Sequence, residues 1–91
     1  MANNLFVAYD LDVPIQNYKR VIAAINALGE AVRVQASLFY VKSSLSAKLA
    51  EEFVSAVASS NDRILVIDAA DAWWHNAMEP APEFIQARWR R

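Results

Sequence analysis

Residues 31–42 constrain the fold more than any other part of the chain, because polar and apolar residues alternate along them. Arg33, Gln35 and Ser37 occupy every second position, and the positions between them are apolar. A period of two residues places alternate side chains on opposite faces of a β-strand. The pattern predicts a strand with one face in a core and the other open to solvent, a partner or a substrate. Twelve residues are long for one strand, so we expect it to bend or to extend past the sheet edge.

Two apolar runs predict strands that are buried on both faces, one over 5–9 and closed by Asp10, the other over 63–68. Apolar residues at three- and four-residue steps predict two amphipathic helices. The first helix begins near residue 17, and Gly29, the only glycine, occupies the position of a left-handed helix C-cap. The second helix has candidate N-caps among Ser43, Ser44 and Ser46. Its predicted apolar stripe consists of Leu45, Leu49, Phe53 and Val57.

These elements predict an α+β fold with the ferredoxin-like order β-α-β-β-α-β, in which both helices lie on one face of an antiparallel sheet. We expect the strands at 5–9 and 63–68 to be neighbours. Residues 1–78 form this domain, and residues 79–91 form a tail. Trp73 and Trp74 suggest a short edge strand, 79–82 an extended link, and 83–90 a terminal helix. The tail either folds back on its own core or, as we predict, packs on a dimer partner.

The composition bounds the function. In 91 residues, a hydrophobic fraction of 56% exceeds what a small interior hides, so we expect a homodimer. The net charge of −1 argues against a protein that coats nucleic acid generally, although a local basic patch remains compatible with it. The absence of cysteine excludes disulfides and thiolate metal sites. No apolar run is long enough for a membrane span, so we expect a cytoplasmic protein.

Several polar residues could carry chemistry. Asp10 and Asp12 offer the hard oxygen ligands that suit Mg²⁺, or they simply hydrogen-bond the loop after the first strand. Arg33 could bind a phosphate in a bidentate manner, and Ser37 could orient a water or a second phosphate oxygen. Phe39 could stack on a base or pack at a dimer seam.

The chain also resembles a known family. The features are a first strand ending in Tyr9 and Asp10, a helix, and the sequence Arg-Val-Gln-Ala-Ser-Leu-Phe at 33–39. Together they resemble the second CRISPR-associated adaptation protein, the small Cas-two family, over residues 4–68. Virulence-associated protein D is related to that family. Over its full length the chain is also similar to small bacterial proteins labelled "SinR family", although its residues do not resemble a helix-turn-helix repressor.

The resemblance implies a ferredoxin-like homodimer in which the aspartate that ends the first strand lies near the two-fold axis, where two copies hold one metal ion. Only Asp10 matches that position. The resulting hypothesis is a Mg²⁺-dependent endonuclease acting on RNA or DNA, with Asp10 and Ser37 as catalytic residues. Arg33, Gln35 and Phe39 would then bind the nucleic acid. The alternatives are a non-catalytic dimeric adaptor and a toxin–antitoxin or defence component that binds another protein or a nucleic acid.

Overall fold

The computed structural model of the protein describes residues 2–12 and 15–89, which form one four-stranded antiparallel sheet and three helices. The elements are β1 Asn3–Asp10, α1 Ile15–Ala27, β2 Gly29–Gln35, β3 Leu38–Ser43, α2 Ala47–Ser55, β4 Arg63–Asp68 and α3 Ala81–Arg88. The strand order is β2-β3-β1-β4, so the α+β class is confirmed and β1 and β4 are neighbours as predicted. Within the described ranges, none of the helices has the length and apolar character needed to cross a membrane.

The single long strand predicted over 31–42 is wrong, because that segment is a hairpin. Ala36 and Ser37 form a turn between β2 and β3, and a β-bulge lies between Arg33 and Gln35. The hairpin places Ala31, Phe39 and Val41 in the cluster with α1 and α2, and Val32, Val34 and Tyr40 in the cluster with α3 on the opposite face of the sheet.

Helices α1 and α2 cover one face of the sheet, which we call the helix face. Strand residues with odd numbers in β1 and β3 point to this face and meet small and branched residues of both helices. The buried cluster includes Leu5, Val7, Phe39 and Val41 from the sheet, Val21 and Ile25 from α1, and Ala50 and Val54 from α2. Burial of these side chains from water is the main stabilising contribution on this face.

Ser46 caps α2, as expected, and its hydroxyl accepts a hydrogen bond from the Leu49 N–H at 3.2 Å. The predicted apolar stripe is displaced, however. The buried residues of α2 are Ala50 and Val54, whereas Leu49 and Phe53 are about half exposed. The small alanine side chain lets the helix approach the sheet closely, which leaves the larger residues at the margin of the interface.

The second face of the sheet is partly covered by the C-terminal part of the chain. Ala81 and Ile85 of α3 are buried against Val32, Val34 and Tyr40. Residues 69–80, including the positions predicted as an edge strand, contain no strand. The predicted start of the helix at 83 is two residues late, and its predicted last residue, Arg90, lies outside the described residues together with Met1, Val13, Pro14 and Arg91.

A buried asparagine holds the end of this tail. The Asn4 side-chain amide donates to the Trp89 carbonyl at 2.8 Å. Its oxygen accepts from the Tyr40 hydroxyl at 2.7 Å and from the Lys42 ammonium at 3.0 Å. Residues 81–89 of this single chain therefore pack on its own sheet. Packing of 79–91 on a dimer partner stays a prediction.

Gly29 has a different role from the predicted helix cap. It is the first residue of β2 and does not have a positive φ. A Cβ at this position would overlap the carbonyl oxygen of Lys42 on the paired strand. The glycine is therefore required by the close approach of two backbones, which a side chain would push apart.

Gly29→Ala is accordingly expected to destabilise the protein by about 1–3 kcal/mol, the usual cost of adding atoms where there is no room. Urea denaturation followed by circular dichroism measures this free energy of unfolding. Ser44→Ala, at an exposed position next to the Ser43 that faces Gly29 in the register of β2 and β3, is the matched control and should stay within about 0.5 kcal/mol of the wild type. Equal unfolding midpoints for Gly29→Ala and the control would contradict the close approach.

Candidate functional site

The C-terminal end of β1, the β2–β3 turn and the N-terminal end of β4 meet at one end of the sheet. Asp10 lies directly opposite Arg63 in the register of β1 and β4. The Tyr9 N–H donates to the Ser37 carbonyl at 3.1 Å, which places the turn beside the end of β1. We call Asp10, Ser37 and Arg63 the sheet-end site. The fold thus brings together the two residues that were predicted to be catalytic.

Asp10 is accessible but paired. Its side chain is 73% exposed, and its carboxylate accepts from the Arg63 guanidinium at 3.2 Å. An exposed ion pair of this kind contributes only about 0–1 kcal/mol, so a divalent cation or a phosphate could separate it at small cost. The carboxylate therefore fits a hard cation, provided that Arg63 moves away. In the parts of the chain that the structure describes, no group of three or more acidic or histidine side chains is placed to hold a metal ion.

Asp12 lies close by, but another aspartate organises this loop. The Asp12 N–H donates to the Asp62 carboxylate at 2.8 Å, and the Ser59 N–H donates to the second oxygen of the same carboxylate at 2.8 Å. Asp62 thereby ties the loop after β1 to the turn before β4. Its role is structural, and it fixes the start of β4 on which Arg63 stands.

The predicted common face of Arg33, Gln35, Ser37 and Phe39 does not exist as one surface. Gln35 and Ser37 are exposed, but the bulge and the turn end the alternation before Phe39. Arg33 lies opposite Phe39 on the helix face, whereas Asp10 alternates to the second face of the sheet. The predicted nucleic-acid-binding residues are therefore divided between two sides of the molecule.

The prediction that Phe39 stacks on a base is wrong for this structure. Its side chain is 5% exposed and belongs to the helix-face core. Its ring centroid lies 6.2 Å from that of Tyr9 and 5.4 Å from the guanidinium carbon of Arg33. Both partners are intramolecular, so Phe39 supports the core and orients Arg33 through a cation–π contact.

Tyr9 and Asp10, adjacent in sequence, have different roles because neighbouring strand residues point to opposite faces. Tyr9 is buried, and its hydroxyl donates to the Ala36 carbonyl at 3.2 Å. Burial raises the pKa of Tyr9, while the charge of Arg33 lowers it and the neighbouring Tyr18 raises it further. The phenol therefore stays protonated around neutral pH and holds the β2–β3 turn next to Asp10.

Arg63 is the site residue that sequence reasoning missed. Its signal in the sequence was its position at the start of β4, but only the register of β1 and β4 in the structure shows that it faces Asp10. The same register reveals an exposed apolar surface. Leu65 and Ile67 are 58% and 49% exposed, and Leu65 lies opposite the half-buried Ala8. We call these three residues the open patch; they share the second face with Asp10 and Arg63.

Comparison of the chain with protein-family models, with curated proteins and with solved structures finds no match. The resemblance to the Cas-two family therefore stays a prediction from the residues quoted for it. The function is therefore inferred from the geometry of the sheet-end site and of the surfaces around it.

Proposed function

We propose that this chain is a ferredoxin-like protein that acts as a Mg²⁺-dependent endonuclease on RNA or DNA at a homodimer interface, with Asp10 as the metal ligand. The exposed carboxylate at the end of β1 is the observation that carries the proposal. The element order β-α-β-β-α-β and the strand order β2-β3-β1-β4 support the ferredoxin-like assignment. A cytoplasmic location belongs to the same proposal.

Dimerisation follows from the chemistry of the site. Mg²⁺ keeps several waters and is commonly held by one or two carboxylates, so two copies of Asp10 suffice. The open patch lies on the same face of the sheet as Asp10. A second copy placed against this face would cover Leu65 and Ile67 and bring the two Asp10 side chains towards each other. The exposed apolar residues thus support the same assembly that the metal site needs.

The roles of the neighbouring residues follow from their groups. Arg63 leaves Asp10 and donates to a phosphate oxygen, since guanidinium pairs with phosphate as readily as with carboxylate. The Ser37 hydroxyl orients a water or a phosphate oxygen, and the exposed Gln35 amide donates to the backbone of the nucleic acid. The metal, when bound, lowers the pKa of a water and neutralises charge on the phosphate. Arg33 contributes positive charge at a distance, from the other side of the sheet.

The experiment that tests this proposal incubates the protein with single-stranded RNA, double-stranded RNA and DNA, each with Mg²⁺ or Mn²⁺ and with or without chelator. We expect cleavage of at least one substrate with metal and none with chelator. If no substrate is cleaved under any of these conditions, the endonuclease proposal is overturned.

The ion pair between Asp10 and Arg63 favours a second candidate, a non-catalytic adaptor or a toxin–antitoxin or defence component. A neutralised carboxylate repels phosphate less than a free one does, so the same surface could bind nucleic acid without cutting it. Gel-shift measurements on the uncleaved samples distinguish the two: binding that is independent of metal, without cleavage, supports the adaptor.

The open patch gives a separate prediction about assembly. Leu65→Asn should lower the fraction of dimer measured by light scattering over a tenfold dilution, because it removes apolar surface from the proposed interface. The fold should persist, since Leu65 is 58% exposed. Phe53→Asn is the matched control, because Phe53 is 48% exposed on α2, beyond the opposite face of the sheet. A wild-type protein that is monomeric at micromolar concentration would contradict the dimer.

A further inference from the structure

A groove lined by indole rings lies between the segment after β4 and helix α3. Its lining residues are Asp71, Ala72, Trp73, Trp74, Ile85, Gln86 and Trp89. We call it the tryptophan groove. It contains all three tryptophans of the protein and none of the residues of the sheet-end site.

The three rings are held to different degrees. Trp89 is held in place by two contacts: its ring stacks on that of Tyr40 with centroids 6.0 Å apart, and its carbonyl accepts a hydrogen bond from the Asn4 amide. Trp74 packs partly against the same core. Trp73 is 82% exposed, although its ring centroid lies 5.9 Å from that of Trp74 with the planes inclined by 38°. An aromatic side chain of this size so exposed, beside a second one, leaves π surface available to a ligand.

Asp71 supplies the charge. It is the one charged side chain among the described residues that line the groove, and its carboxylate is exposed at the start of the segment that carries Trp73. Indole faces and a carboxylate both attract a cation. A strongly hydrated metal ion would gain little there, because the rest of the lining is mainly apolar. A weakly hydrated organic cation can give up its water and cover the rings.

We propose that the tryptophan groove binds an alkylated ammonium group, with Trp73, Trp74 and Trp89 around the cation and Asp71 as its counter-ion. Such a group occurs in free quaternary amines and in methylated lysine side chains, and both present the same methyl-covered positive charge. This site is independent of the endonuclease proposal, since it shares no residue with the sheet-end site.

The test uses choline and its neutral isostere 3,3-dimethylbutan-1-ol, which has the same shape without the charge. Binding is followed through the indole N–H resonances of the full-length protein labelled with ¹⁵N, at constant ionic strength. We expect saturable shifts of the tryptophan resonances with choline, and an affinity roughly fivefold or more weaker for the neutral isostere. A peptide with one trimethyllysine, compared with its unmethylated form, distinguishes a protein-borne cation from a free amine.

Two variants test whether choline binds in the tryptophan groove. Trp73→Leu should abolish the choline shifts while the protein stays folded, because Trp73 makes little contact with the core. Asp71→Asn should weaken choline several-fold and leave the neutral isostere unchanged. Tyr18→Leu is the control, since Tyr18 is exposed on α1 and lies outside the groove. Equal binding of choline and the isostere, or no saturable shift with choline, would each overturn the proposal.

Discussion

Asp10→Asn is expected to reduce metal-dependent cleavage by roughly a hundredfold or more while the protein keeps its fold. Asparagine preserves the shape and one hydrogen-bonding oxygen, but it removes the negative charge that holds the cation. Metal-ion assistance is worth several kcal/mol of transition-state stabilisation, and each 1.36 kcal/mol corresponds to a factor of ten in rate. The measurement is the cleavage rate of the variant under saturating Mg²⁺, with circular dichroism to verify folding.

Two variants near Asp10 separate its role from general charge effects. Asp12→Asn removes a neighbouring exposed carboxylate of the same type and should leave the rate unchanged, because only the backbone of Asp12 is bonded to Asp62. Arg63→Gln should lower the Mg²⁺ concentration needed for half-maximal activity, since the cation no longer competes with Arg63 for Asp10. It should also weaken binding of the nucleic acid at low salt. Cleavage that is unaltered in Asp10→Asn would reveal a contaminating nuclease.

The sequence could predict much of the fold because hydrophobic periodicity reports directly on burial. The strands at 5–9 and 63–68 were recognised from apolar runs, and Ser46 was among the candidate caps of α2. The prediction that the strand at 63–68 is buried on both faces is wrong, because Leu65 and Ile67 are exposed. The hairpin within residues 31–42 was not recognised, because its turn, Ala36 and Ser37, contains neither glycine nor proline. Polar and apolar residues continue to alternate through Ala36 and Ser37, although the chain reverses its direction there.

The candidate site was predictable only in part, because the sequence indicates where a strand ends but not how that strand pairs or packs. The exposed Asp10 follows from its position at a strand end, but its ion pair depends on the register between β1 and β4. The burial of Phe39 depends on how close α1 comes to the sheet, which the strand pattern alone does not contain. Likewise, the buried face of α2 was misassigned because the small Ala50 faces the sheet, whereas the larger Leu49 does not. Residue size and tertiary packing outweighed hydrophobicity there.

Ile85→Ala is expected to destabilise the protein by about 2–5 kcal/mol, the typical cost of truncating a fully buried isoleucine and leaving a cavity. Ile85 is 1% exposed and packs with Val32, Val34 and Tyr40 on the second face of the sheet. Urea denaturation gives the difference in the free energy of unfolding. Gln86→Ala, at the next and exposed position of α3, is the matched control and should change it by less than about 0.5 kcal/mol.

The same measurement, repeated at several protein concentrations, decides whether the tail covers the sheet of its own chain or that of a second copy in solution. If α3 packs on its own sheet, the loss caused by Ile85→Ala is intramolecular and should be the same at every concentration. If the tail exchanged between two copies, the variant would also weaken association, and its deficit would grow on dilution because subunit binding contributes to stability by mass action. A deficit that increases as the protein is diluted would therefore contradict the arrangement in which Asn4 holds the Trp89 carbonyl of its own chain.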